Sequence, residues 1–146
     1  MFCYQCEQAS KGIACTTSGA CGKKPDVSAL QDLLIHAIKG ISNYAHRARE
    51  LGAKKIDIDV FVIEALFSTV TNVNFDPSRM KSLLEKAYSY RQKAKDLYEK
   101  ACKSKGAKPQ QIKSADEWIP ASDISALHRA LLSALPLAQK SRTILP

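Results

Sequence analysis

No apolar run in this 146-residue chain approaches the roughly 20 residues needed to cross a bilayer, so no transmembrane helix is expected. A secretory signal is missing too. Its apolar segment would lie near the start, and the chain opens instead on Met1-Phe2-Cys3-Tyr4-Gln5-Cys6, polar and cysteine-bearing. The expected location is therefore cytoplasmic. Nothing in the chain matches a Ser/His/Asp arrangement, a phosphate loop or a dinucleotide fingerprint, and there is no internal repeat or low-complexity stretch. Acidic residues are few beside basic ones, with 14 Asp and Glu against 22 Lys and Arg, for a net charge of +8. Such a balance raises nucleic acid as a partner. The densest basic stretch, residues 81–113, mixes Glu85, Asp96 and Glu99 among its lysines and carries no nucleic-acid motif, which favours a solvated helix face. An acidic redox partner is another candidate reader of that surface.

What is present fits one domain of ordinary size, with 45% hydrophobic and 25% charged residues. Residues 1–25 are rich in Cys, Gly, Ser and Thr without sustained periodicity and read as an irregular loop wrapped around something. From Asp26 the pattern is helical. Leu30, Leu33, Leu34, Ala37, Ile38, Ile41, Tyr44, Ala45, Ala48 and Leu51 recur every three or four residues until Gly52. A second helix is expected from Asp57 or Asp59, either able to cap, to about Thr71; it is apolar almost all round, which predicts burial on more than one side. Asp76-Pro77 then opens a third helix that ends before Gly106. Short connections make an all-α, antiparallel three-helix bundle the economical fold over residues 26–106. Residues 107–146 read as a loop tethered by Ile112 and Trp118, then a short additional helix from Ser122-Asp123 to Leu135, packed on the same domain or leading to later ones.

The chemistry lies in Cys3, Cys6, Cys15 and Cys21, which spell C-x2-C-x8-C-x5-C with Gly12, Gly19 and Gly22 to let the backbone curl. Four soft thiolates suit zinc or iron–sulfur. A C-x2-C pair delivers two sulfurs from one tight turn. Zinc ribbons usually repeat that short spacing, so the wider second pair tilts toward a 4Fe–4S cubane, whose corners lie farther apart than the ligands of a single ion. Zinc, a 2Fe–2S centre and redox thiols stay open on spacing alone.

Several stretches in order resemble the N-terminal region of hybrid cluster proteins, also known as prismane proteins or hydroxylamine reductases. They are Met1-Phe2-Cys3-Tyr4-Gln5-Cys6-Glu7-Gln8, the loop ending in Cys21-Gly22-Lys23, residues 30–35, residues 45–50 and residues 69–76. The resemblance implies helical bundles and a 4Fe–4S cluster held by Cys3, Cys6, Cys15 and Cys21. It also implies a relay role, passing electrons to a second, hybrid iron–sulfur–oxygen cluster. The family reduces hydroxylamine to ammonia and is linked to nitric oxide reduction and nitrosative stress. Its members run to several hundred residues, and the hybrid cluster takes ligands from later domains that these 146 residues do not supply. The expectation is a piece of a longer reductase, partnered by its remaining domains or an equivalent subunit and by a redox donor; a free-standing electron carrier is the alternative. No catalytic residue is expected here.

The other chemistry-bearing residues have plainer readings. Cys102, in a lysine-rich helix, reads as a structural or semi-exposed thiol rather than a ligand. His36, His46 and His128 read as solvated or core-edge side chains, with His46 the one to inspect for proximity to the cluster. Tyr88, Tyr90 and Tyr98 suit bundle core and rim. Asn72 and Asn74 suit either a turn or hydrogen bonds to cluster sulfurs.

Overall fold

The computed structural model describes residues 1–70 and 74–110. After the cysteine-bearing loop, three helices follow: α1 over Pro25–Glu50, α2 over Ile56–Ser68 and α3 over Pro77–Lys105. The all-α three-helix bundle read from the periodicity is the observed architecture.

Each helix carries local reasons for its ends. Pro25 occupies the first turn of α1, where its missing N–H costs nothing, and Asp26 there opposes Arg47 and Arg49 in the last turn, in the order the helix dipole favours. Past Leu51 the chain turns on Gly52, at φ +85, and the Ala53 N–H donates to the Ala48 carbonyl at 2.9 Å. The Asp76 side chain caps α3 by accepting from Ser78 N–H at 2.9 Å. Gly106, in the left-handed region, closes that helix.

Three pairs of contacts fix the direction of the bundle. Arg49, late in α1, holds Asp59, early in α2, at 2.7 Å. Phe61 of α2 stacks on Tyr90 of α3 at 4.2 Å, while the Tyr44 and Tyr98 rings of α1 and α3 lie 6.1 Å apart. The helices therefore run up, down and up. The largest interface is between α1 and α3, where Leu30, Leu33, Leu34, Ile38, Ile41 and Tyr44 meet Met80, Leu84, Ala87, Ala94, Tyr98 and Cys102 in one buried cluster. Truncating one fully buried member such as Leu34 to alanine is worth about 2–5 kcal/mol.

α2 departs from expectation in three ways. Only Ile58, Phe61, Ala65 and Ser68 of it are buried, whereas Ile63 is 67% exposed, Phe67 62% and Ile56 71%. Both described neighbours, α1 and α3, lie on the buried side, so the opposite apolar face has nothing described against it. Its N-cap is Lys55, with no side-chain cap bond, rather than Asp57 or Asp59. Those aspartates fall in the first turn and pair with Lys93 at 3.9 Å and Arg49 at 2.7 Å, respectively. The helix also stops at Ser68. There the hydroxyls of Ser68 and Thr69 donate back to the carbonyls of Ala65 and Leu66, each at 2.7 Å.

Beyond α3 the chain folds back: Gln110 N–H donates to the Tyr98 hydroxyl at 3.1 Å, and Arg47 donates to Gln110 Oε1 at 3.2 Å. The expected tethers Ile112 and Trp118, the short C-terminal helix and His128 lie outside the described residues. Among the described residues no helix is long and apolar enough to cross a membrane.

Candidate metal centre

The four candidate ligands all lie in the loop that leads into α1, and all four are free thiols. Three devices fold this loop. Cys3 and Cys15 pair as antiparallel neighbours, exchanging backbone hydrogen bonds at 3.1 and 2.8 Å. Such directly opposed residues carry their side chains on the same face, with Cβ atoms about 4.5–5.5 Å apart. Next, Cys6 begins a turn closed by Ala9 N–H on its carbonyl at 3.2 Å, which leads into a single 3-10 turn over Ser10–Gly12. Finally, Cys21 sits inside a reverse turn, where Gly22 N–H donates to the Gly19 carbonyl at 2.9 Å and Gly19 N–H to the Lys23 carbonyl at 2.8 Å.

The tightest point of that last turn is Gly19. A Cβ there would stand 3.1 Å from Cys21 Sγ and 3.0 Å from Lys23 Cβ. Positive φ angles at Gly12 (+67) and Gly22 (+86) let the backbone reverse on either side of Cys15.

Electrostatically, Cys15 stands out. Its thiol is drawn below its ordinary value because the backbone N–H groups of Ala20 and Ser10 donate to the sulfur, against an opposing push from burial. An N–H pair aimed at sulfur stabilises a thiolate, the form a metal takes. A fourth link crosses the loop: Lys23 Nζ donates to Gln5 Oε1 at 2.7 Å, tying the Cys21 turn to the residue directly before Cys6.

The loop thus supplies a donor set whose chemistry fits a metal or an iron–sulfur cluster. It does not preassemble a coordination shell, since among the described residues no group of three or more His, Cys, Asp or Glu is placed to hold an ion. Cys102 is buried near the far end of α3 beside the Tyr44 and Tyr98 layer, as a structural thiol would be. His46 is exposed, 3.5 Å from Glu50, and sits roughly 30 Å along α1 from Pro25 at about 1.5 Å per residue, which separates it from the cysteine loop. Asn74 is committed to the turn before α3. Its Oδ1 accepts from Asp76 N–H at 3.2 Å, and its own carbonyl accepts from Gln31 at 3.1 Å. Asn72 lies outside the described residues. Sequence reasoning passed over Gln5 and Lys23; the sequence signal for the latter was its place directly after Cys21-Gly22.

Residues 1–132 match the model of the Prismane/CO dehydrogenase family. The chain belongs to that family. Among similar proteins, the hydroxylamine reductase of Geobacter sulfurreducens is 50% identical over 129 residues, which is 87% of this chain and 24% of the relative. That of Rhodospirillum rubrum is 48% identical over 127 residues, 87% of this chain and 23% of the relative. A third, from Thermosipho melanesiensis, is 49% identical over 120 residues, covering 81% and 22%. This prismane-family chain therefore spans about a quarter of the length of the curated relatives it matches.

Proposed function

We propose that the chain is an electron-transfer module of a hydroxylamine reductase, holding a 4Fe–4S cluster through Cys3, Cys6, Cys15 and Cys21. The observation that carries this reading is the loop itself. Four free thiols, one buried and favoured as a thiolate by two backbone N–H groups, are drawn into a single 25-residue segment by a backbone bridge, a tight turn and a side-chain link. The family match spans residues 1–132, the four cysteines included, and the relatives named hydroxylamine reductase align with 87% of the chain.

When bound, such a cluster supplies one-electron storage at a potential set by charge and hydrogen bonds around its sulfurs. The chain's own residues would bind and orient it. Cys3 and Cys15 offer sulfurs from one face of their bridge, Cys6 from the following turn, and Cys21 from the turn at Gly19. Reduction of hydroxylamine to ammonia and water consumes two electrons and two protons, so a one-electron module would act twice per turnover.

The remaining polypeptide of the reductase is the partner we assign to the exposed face of α2. The relatives are about four times as long as this chain, and Ile56, Val60, Ile63 and Phe67 form a helical stripe in search of cover, with exposed Val70 just beyond the helix end. An acidic redox donor suits the net charge of +8, and its electron transfer would weaken with salt.

Anaerobic purification tests the reading. A brown protein with about four irons per chain and a broad band at about 400 nm supports it. A colourless protein with about one zinc per chain rejects it in favour of a zinc-stabilised helical domain.

A further inference from the structure

Among the described residues Lys23 is the one buried lysine, at 1% exposure, although its neighbour Lys24 is exposed. Lysine normally keeps its ammonium in water even where its stem is covered. Here the ammonium donates to Gln5 Oε1 of the cysteine loop at 2.7 Å and lies 5.8 Å from the centre of the Phe75 ring. Both partners are neutral. A buried cation that, among the described residues, faces only a neutral oxygen and an aromatic ring is unfavourable unless a negative charge lies nearby. The ionisable groups that the loop brings next to this side chain are thiols: Gln5 directly precedes Cys6, Lys23 follows Cys21 by two residues, and a Cβ built on Gly19 would lie 3.0 Å from Lys23 Cβ and 3.1 Å from Cys21 Sγ.

We propose that Lys23 is the built-in counter-cation of the cysteine centre, offsetting the negative charge of the four thiolates and holding the reduction potential of the bound cluster up. The inference rests on the cluster reading above and assigns a role to a residue outside the ligand set. An added electron makes the centre more negative. A fixed positive charge within the same low-dielectric loop therefore favours the reduced state over the oxidised one. Lys23 acts through the cluster's charge and is a positioning and tuning residue, not a catalytic one.

The alternative role is a mechanical strap, since the same side chain ties the Cys21 turn to Gln5. Three variants of the 146-residue chain separate the two: Lys23→Met removes charge and strap, Lys23→Gln removes charge while keeping a donor toward Gln5, and Gln5→Ala removes the strap while keeping the charge. Each is loaded anaerobically and poised in a redox titration followed by EPR, with iron and sulfide measured beforehand. Thermal unfolding is recorded on the metal-free, reduced form.

The expected result is a fall of about tenfold in the reduced-to-oxidised ratio at fixed ambient potential for Lys23→Met and Lys23→Gln, or about 59 mV for a one-electron couple. Gln5→Ala stays within about twofold of the native ratio, and the metal-free Lys23→Met protein is at least as stable as the native one. The proposal is overturned if the two Lys23 variants keep native iron content and the native ratio. It is equally overturned if Gln5→Ala and Lys23→Met lose cluster and metal-free stability to the same degree with no change in potential, the signature of a strap. Failure of the native chain to take up iron and sulfide would be visible before any variant is compared; it would remove the cluster reading and this inference with it.

Discussion

Cys3 and Cys15, twelve positions apart in the loop, face each other across a two-bond antiparallel bridge, with N···O distances of 3.1 and 2.8 Å. The eleven-residue stretch between them, which holds Cys6 and the long C-x8-C gap, is thereby closed by backbone hydrogen bonds, before any metal is asked to close it. Replacing either residue by alanine keeps those bonds, which belong to the main chain, and removes one sulfur. The expected outcome for Cys3→Ala and Cys15→Ala is a folded helical protein with iron retention reduced by more than about tenfold, read by iron analysis alongside circular dichroism. Native iron content in either variant would remove that residue from the ligand set.

Gly19 offers a subtler test. A methyl group there would press on Cys21 Sγ at 3.1 Å and on Lys23 Cβ at 3.0 Å, so the turn must open to admit it. Gly19→Ala is expected to leave the helices intact and to lower cluster occupancy several-fold, measured as sulfide per chain after identical anaerobic loading.

The thiolate preference of Cys15 predicts a pH dependence in the metal-free, reduced chain. Its folded value lies below its ordinary 9.0 because Ala20 and Ser10 N–H groups favour the charged form. The associated stability is present in full above the unfolded value and is lost as pH falls through the folded one. Urea midpoints of native protein and Cys15→Ser, compared from about pH 7 to about pH 10, should diverge toward the alkaline end. A constant difference across that range would show that the two N–H groups do not discriminate between thiol and thiolate.

The exposed stripe on α2 predicts a change of association without a change of site. Ile63→Lys with Phe67→Lys should raise the solubility of the isolated chain and leave its iron content unaltered, while weakening its binding to the separately expressed remainder of a related hydroxylamine reductase. Sedimentation distinguishes the other occupant. A native dimer that the double variant dissolves would assign the face to a second copy of this chain instead.

Much of this fold was legible in the sequence because local signals agreed with one another. The period of α1 from Leu30 to Ala48, the Asp76-Pro77 start and the Gly106 stop each mark a feature that the structure repeats. α2 was misread for a physical reason. Apolar residues around a whole helix say that it is covered, but not by what, and Ile63 and Phe67 face away from everything described. Asp57 and Asp59 do not cap because the helix already begins at Ile56, which places both in its first turn, where they pair with Lys93 and Arg49. At the candidate site, the thiols and glycines could be read from spacing. The N–H groups of Ala20 and Ser10 and the burial of Lys23 could not, because a backbone donor carries no side-chain signature and a lysine's exposure is decided by tertiary packing.

Native mass spectrometry of the anaerobically purified 146-residue chain tests the central claim most directly, because it weighs the centre and counts its atoms together. The expected spectrum holds one species, the chain carrying about four irons and about four sulfides. A chain carrying a single zinc, or a two-iron centre at full occupancy, would contradict it.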